Sequence, residues 1–150
     1  MLVVIAIIGL LAALLLPAIQ GALRKAEAGK ASTTAVQLAT ALRNFKSEYG
    51  TWPNSTAGDQ NMTMVMVNTL TGQDSTTNPR GLVFLEVEAK SLASSGYVDP
   101  WGNVYRFRVD QSYAGSLTTP DGLTVPADCV VWSLGPKGTA ATSKDWIKTW

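Results

Sequence analysis

Little in this chain could do covalent or acid–base chemistry. It contains no histidine, so the side chain that usually moves protons near neutral pH is missing. The single cysteine, Cys129, sits in the apolar run CVVW (129–132). It can form no internal disulfide, has no histidine to activate it, and reads as a buried structural residue. Glu86 and Glu88 lie two apart in GLVFLEVEAK (81–90). Strand spacing would put both carboxylates on one face and Val83, Leu85 and Val87 on the other. Paired carboxylates can act as acid and base, but no reactive partner accompanies them, and the pair reads as a solvated strand face. Asn54-Ser55-Thr56 matches a glycosylation acceptor, a tripeptide common by chance. Packing, not catalysis, is the chemistry these residues offer.

The elements that would do the packing are unevenly charged. The 150 residues suit one core-forming domain, and 12 basic against 11 acidic side chains give no field that would make nucleic acid an obligate partner. None of those charges precedes Arg24, and every residue from Met1 to Ile19 is apolar, glycine or proline. A bilayer core needs roughly 20 such residues in a helix, so residues 1–23 are expected to span a membrane. A cleavable signal peptide with Ala26-Glu27-Ala28 as its site would need a shorter apolar run and a basic segment ahead of it. Arg24, Lys25 and Lys30 follow the run, and by charge bias alone they would hold the bulk of the chain in the cytoplasm. Pro17 cannot donate a backbone hydrogen bond, so a kink or loosening is expected there.

The periodicity continues past the apolar run. Ala28, Ala31, Ala35, Leu38, Leu42, Phe45 and Tyr49 recur every three or four residues, one stripe of an amphipathic helix over 24–50 with Gly50 as its stop. Residues 51–150 read as a globular head. Polar connections are expected at 53–61 and 71–81, with a short helix between them on Met62, Val65, Met66 and Leu70, capped by Asn61. DPWG (99–102) has the residue order of a tight turn. The alternation of NVYRFRV (103–109) predicts a half-buried antiparallel strand, and LTVPADCVVWSL (123–134) two more, parted near Pro126-Ala127-Asp128. The class is therefore α+β: a long N-terminal helix packed on a small antiparallel sheet through Ala35, Leu38, Leu42, Phe45 and Tyr49.

LVVIAIIGLLAALLLPA (2–18), LRNFKSEYGTWP (42–53), YVDPWGNVYRF (97–107) and VWSLGPKG (131–138) together resemble the type IV pilin superfamily, and most closely the major pseudopilins of type II secretion. Family members carry a basic leader, a cleavage glycine and an early glutamate, and this chain starts about where the residues after that glutamate would lie. A basic leader on the cytoplasmic side would reverse the charge bias above.

The resemblance implies a structural subunit, not an enzyme. It would be stored in the bacterial inner membrane as a single-pass protein and polymerised with copies of itself into a periplasmic or extracellular filament. Leu2, Val3, Val4, Ile5, Ile8, Gly9, Leu11, Ala12, Leu15 and Pro17 would form the filament-core helix, the small residues allowing close helix approach. An inner-membrane assembly platform and, for the precursor, a prepilin peptidase are the implied partners. A type IV pilus subunit for adhesion, motility or DNA uptake is the alternative within the family; a membrane-anchored periplasmic binding domain that never polymerises is the alternative outside it. The tail SLGPKGTAATSKDWIKTW (133–150) resembles the calcium loop of major pseudopilins, with the Leu134 carbonyl, Ser143 and Asp145 as the implied ligands. Lys137 stands where the family often has an aspartate, and its ammonium would repel a divalent cation.

Overall fold

A computed structural model describes residues 2–53 and 56–150, with the side chains of residues 2, 5, 6, 8, 9, 11–15, 17, 18 and 140 outside the description. Its first element is one helix, α1, Leu2–Tyr49, about 72 Å long at about 1.5 Å per residue. It runs through Pro17 without interruption, so the loosening expected there does not break it. It ends at the expected stop: Gly50 takes φ +75° and its N–H donates to the Lys46 carbonyl at 2.8 Å.

Among the described residues the head carries eight short strands, β1 Gln60–Asn61, β2 Leu92–Ala93, β3 Gly96–Tyr97, β4 Arg106–Val109, β5 Leu117–Thr118, β6 Thr124–Val125, β7 Cys129–Ser133 and β8 Ile147–Lys148, and a second helix, α2, Met64–Leu70. The main sheet is antiparallel in the order β1-β4-β7-β8, and β2–β3 and β5–β6 form separate two-stranded hairpins. β4 behaves as its alternation predicts: Phe107 and Val109 point inward with Tyr105 just before them, while Arg106 and Arg108 stay half-exposed. All of β7 is buried. Its inner residues Cys129 and Val131 join the core under α1, whereas Val130 and Trp132 face Leu117, Trp146 and Trp150 on the other side. A strand covered on both faces loses its polar positions, which is why CVVW is unbroken by any.

Ala35, Leu38, Leu42 and Phe45 are fully buried against this sheet, and Tyr49 packs at the edge of the same core. Polar bonds fix the register of helix on sheet. Arg43 donates from Nε to Asp128 at 2.8 Å and from a terminal nitrogen to the Cys129 carbonyl at 2.9 Å. Tyr105 donates its buried hydroxyl proton to the Ala31 carbonyl at 3.2 Å.

Three expectations for the head need correction. Segment 82–88 joins no ladder, because the N–H groups of Phe84 and Leu85 both turn to the Leu70 carbonyl. It lies along α1 instead, with Leu85 buried, Phe84 packed edge-on to Phe45, and Val83 exposed rather than sharing a face with Leu85. The cap of α2 is Thr63, whose hydroxyl accepts from the Met66 N–H; Asn61 belongs to β1, at the end of the stretch read as connection. The polar loop 71–81 is not wholly exposed. Asn78 is fully buried, donating to the Thr69 and Leu82 carbonyls and accepting from Leu82 N–H and the Tyr49 hydroxyl.

Phe45 is the deepest aromatic that α1 contributes to the head. Truncating it (Phe45→Ala) should cost about 3–5 kcal/mol in urea unfolding of the detergent-solubilised chain. A loss under about 1 kcal/mol would mean that the head does not depend on the helix stripe.

Candidate assembly surface

The two halves of α1 meet different surroundings. From Ala31 onward one stripe is buried in the head, whereas Val3, Val4, Ile7, Leu10, Leu16, Ile19 and Leu23 are each more than half exposed. Val3 and Leu16 lie roughly 140° apart around the helix at about 100° per residue, so the exposed apolar surface is no single stripe. Solvated monomers rarely keep so many large apolar side chains together in water; such a surface marks contact with another apolar body. Among the named core-helix residues, Val3 and Val4 are exposed. The side chains of Leu2, Ile5, Ile8, Gly9, Leu11, Ala12, Leu15 and Pro17 lie outside the described residues. Among the described residues no helix is long and apolar enough to cross a membrane. The span expected of residues 1–23 rests on side chains that mostly lie outside them.

Where the exposed half meets the head, two loops close around the helix. Trp101 donates its indole N–H to Glu27 at 3.1 Å. A groove of about 590 Å³ there is lined by Arg24, Glu27, Ala28, Trp101, Pro136 and Asp145, with Ile147. The turn that presents Trp101 is organised by Asp99. Its carbonyl accepts from Gly102 N–H at 3.0 Å, and its buried carboxylate accepts from the N–H groups of Trp101 and Asn103, the Asn103 amide and the Ser133 hydroxyl.

That carboxylate joins the two sequence motifs. Ser133 in turn accepts from Gly135 N–H at 2.9 Å, and the Asn103 amide donates to the Gly135 carbonyl at 2.9 Å. Gly135 has φ +71°, and a Cβ there would stand 2.8 Å from the Asp145 carbonyl oxygen, so a side chain is excluded twice over. DPWGN and SLGPKG are thus halves of one hydrogen-bonded device that carries the C-terminal loop.

Beyond the short 3₁₀ stretch Gly135–Ala140, the tail returns to the sheet as β8. Trp146 stacks on Trp132 with centroids 6.1 Å apart, and Trp150 meets Trp132 edge-on at 5.8 Å. Asp121, between β5 and β6, accepts from Lys148 at 2.7 Å, from the Trp150 indole and from Thr119. Those bonds, Lys148 foremost, hold its carboxyl down at about 2. Of the implied loop ligands, Leu134 is buried just before the 3₁₀ stretch and Asp145 forms an ion pair with Lys137 at 2.7 Å. The side chain that bonds the Asp145 carboxylate from within the turn is Thr142, adjacent to Ser143.

The remaining reactive residues are placed for structure. Cys129 is buried, and desolvation pushes its thiol up to about 12, far from a nucleophile's range. Glu88 pairs with Lys90 at 3.1 Å and Lys30 at 3.5 Å. Those bonds, Lys90 first, lower its pKa, the wrong direction for a general acid. Asn54 and Ser55 of the sequon lie outside the described residues. Sequence reasoning missed Asp99, Asn103 and Asp121 as organisers; Asp99 opens a recognisable turn, but its link to Ser133 spans 34 positions and leaves no local trace.

A long helix that exposes Val3, Val4, Ile7, Leu10, Leu16, Ile19 and Leu23 in its first half and is seated by its second half on a small antiparallel head has the pilin-like fold. Comparison with known proteins gives the family. Type II secretion system core protein G of Vibrio cholerae serotype O1 is 30% identical over 149 residues, 96% of this chain and 85% of the relative. The protein of the same name from Pectobacterium carotovorum is 28% identical over 153 aligned positions, 99% of this chain and 78% of the relative. The chain belongs to this family, the major pseudopilins of type II secretion. Neither a protein-family model nor a solved structure matches it.

Two outcomes follow from the geometry. Asp99→Ala strands several buried donors and should lower stability by about 3 kcal/mol in urea unfolding; an unchanged midpoint would remove Asp99 as the organiser. Asp121 ionises near 2 in the folded chain against an ordinary 3.8, so its contribution is whole above that ordinary value and is lost as pH falls through it towards 2. Asp121→Asn should therefore lower the melting temperature at pH 7, and the deficit should shrink steadily as pH falls towards 2, where about half of the native carboxyl is protonated.

Proposed function

We propose that this pseudopilin is stored in the inner membrane through residues 1–23 and polymerises through the same helix into a type II secretion pseudopilus. It works by packing, with no catalytic step. One observation carries the reading: the large apolar side chains described from Val3 to Leu23 are each more than half exposed, and their helix continues without a break into the stretch that the head buries. Lipid satisfies such a surface before assembly, and the helices of other copies satisfy it afterwards. The inner-membrane assembly platform would move the subunit between those states, and a prepilin peptidase would act on its precursor. The relatives' name, a core protein of the secretion system, supports the secretion branch over a pilus for adhesion, motility or DNA uptake.

Filament contacts join two different patches of each subunit, so a covalent ladder needs two cysteines per chain. Pairing Val3→Cys with Leu10→Cys, or Val4→Cys with Leu16→Cys, and treating cells with a bifunctional maleimide should give dimers, trimers and longer species. Native Cys129 is buried and supplies an unreactive background. Monomer alone, in cells that secrete normally, would reduce residues 1–23 to an anchor for a domain that never polymerises.

A further inference from the structure

The family resemblance implies a calcium ion in the loop 133–150, and the residues present can be tested against that ion. Calcium takes six to eight oxygen ligands, usually with several carboxylates among them. Here the loop offers one carboxylate, Asp145, and both of its oxygens are engaged. Oδ1 receives the Lys137 ammonium at 2.7 Å, and Oδ2 accepts the N–H and the hydroxyl of Thr142, each at 3.0 Å. Among the described residues no cluster of three or more acidic, cysteine or histidine side chains is placed to hold a metal ion. The donor set does not fit calcium.

We infer that the Lys137 ammonium takes the cation's place, so that the C-terminal loop of this pseudopilin is closed by a charge built into the chain and folds independently of calcium. The geometry supports a substitution and not a mere loss. Lys137 lies within the 3₁₀ stretch, two residues past Gly135, and Gly135 packs directly against the Asp145 backbone. The ammonium therefore bridges the two arms of the loop at the carboxylate that a metal would use. The remaining closure comes from parts that need no ion, the Asp99–Ser133–Gly135 bonds on one side and the Trp132–Trp146 stack on the other. Closure of the loop in this way does not depend on whether the chain polymerises.

The test uses the full chain in detergent micelles. Calorimetric titration with calcium chloride should give no saturable heat at millimolar concentrations, and the melting temperature should be the same in calcium and in chelator at matched ionic strength. Saturable one-to-one binding, or a melting temperature that falls in chelator, would overturn the inference. The role of the ammonium is read separately. Lys137→Met should lower the melting temperature at pH 7 by about 1–3 °C, Lys137→Arg should restore it, and Lys137→Met combined with Asp145→Asn should lose no more than the larger single loss. A Lys137→Met chain as stable as the native one at pH 7 would equally refute the substitution.

Discussion

The structure depends on one seam, the buried stripe of α1 from Ala31 to Phe45 against β4 and β7. Burial of apolar area drives it at about 25 cal/mol per Å², but its direction and register are set by polar groups. Arg43 reaches Asp128 and the Cys129 carbonyl at the start of β7, Tyr105 reaches the Ala31 carbonyl, and Glu48 pairs with Arg80 beyond the far end. A helix held at both ends of its seam cannot rotate about its own axis or slide by a turn. The first half of the helix projects from that clamp, so the head fixes the direction in which its exposed apolar side chains, Val3 to Leu23, point.

The other constraint lies on the opposite face of the sheet. β7 is covered on both sides, which obliges the chain to bring a second layer over Val130 and Trp132. The β5–β6 hairpin and the tail supply it, held to each other by Asp121 and to the sheet by Trp146 and Trp150. The DPWGN turn reaches this layer and the helix at once, since Asp99 bonds Ser133 while Trp101 bonds Glu27. Motifs that look like a signature in the sequence thus act as the strut between the two layers. A strut of this kind needs a carboxylate able to accept several donors, a glycine where a backbone passes within contact distance, and an amide that can bond in two directions.

How much of this is legible in the sequence depends on how local the deciding interaction is. The α1 stripe, the Gly50 stop, the DPWG turn and the alternation of β4 are written within short windows, and each can be read from residue types and spacing. The two-residue strands β1 and β8 are too short to show a period, so their existence depends on partners outside their own windows, β4 and β7. Segment 82–88 has a period and still forms no ladder, because Leu70 offers its N–H groups a carbonyl before any strand does. Asn78 has the residue type of an exposed loop and is fully buried, and composition cannot distinguish an amide that faces water from one with every bond satisfied inside. The assembly residues are legible as an apolar run, but which side chains touch in a filament is a property of several copies together.

The position of the first charge ties the two halves together. All charged side chains follow Leu23, and the first head contact, Glu27 with Trp101, comes four residues later. That is about one helical turn, or roughly 6 Å along the axis. A membrane or partner helix that covered the apolar half would therefore have to end within about a turn of the head, leaving almost no free-standing stretch of helix between the two. Arg24, Lys25, Glu27 and Lys30 occupy that boundary, where their charges stay in water whether or not the residues before them are covered. Moving the first charge towards the N-terminus would force an ion into the covered region, and moving it the other way would expose apolar helix at the head. The steep change in the sequence at Leu23–Arg24 marks the plane where one set of surroundings ends and the other begins.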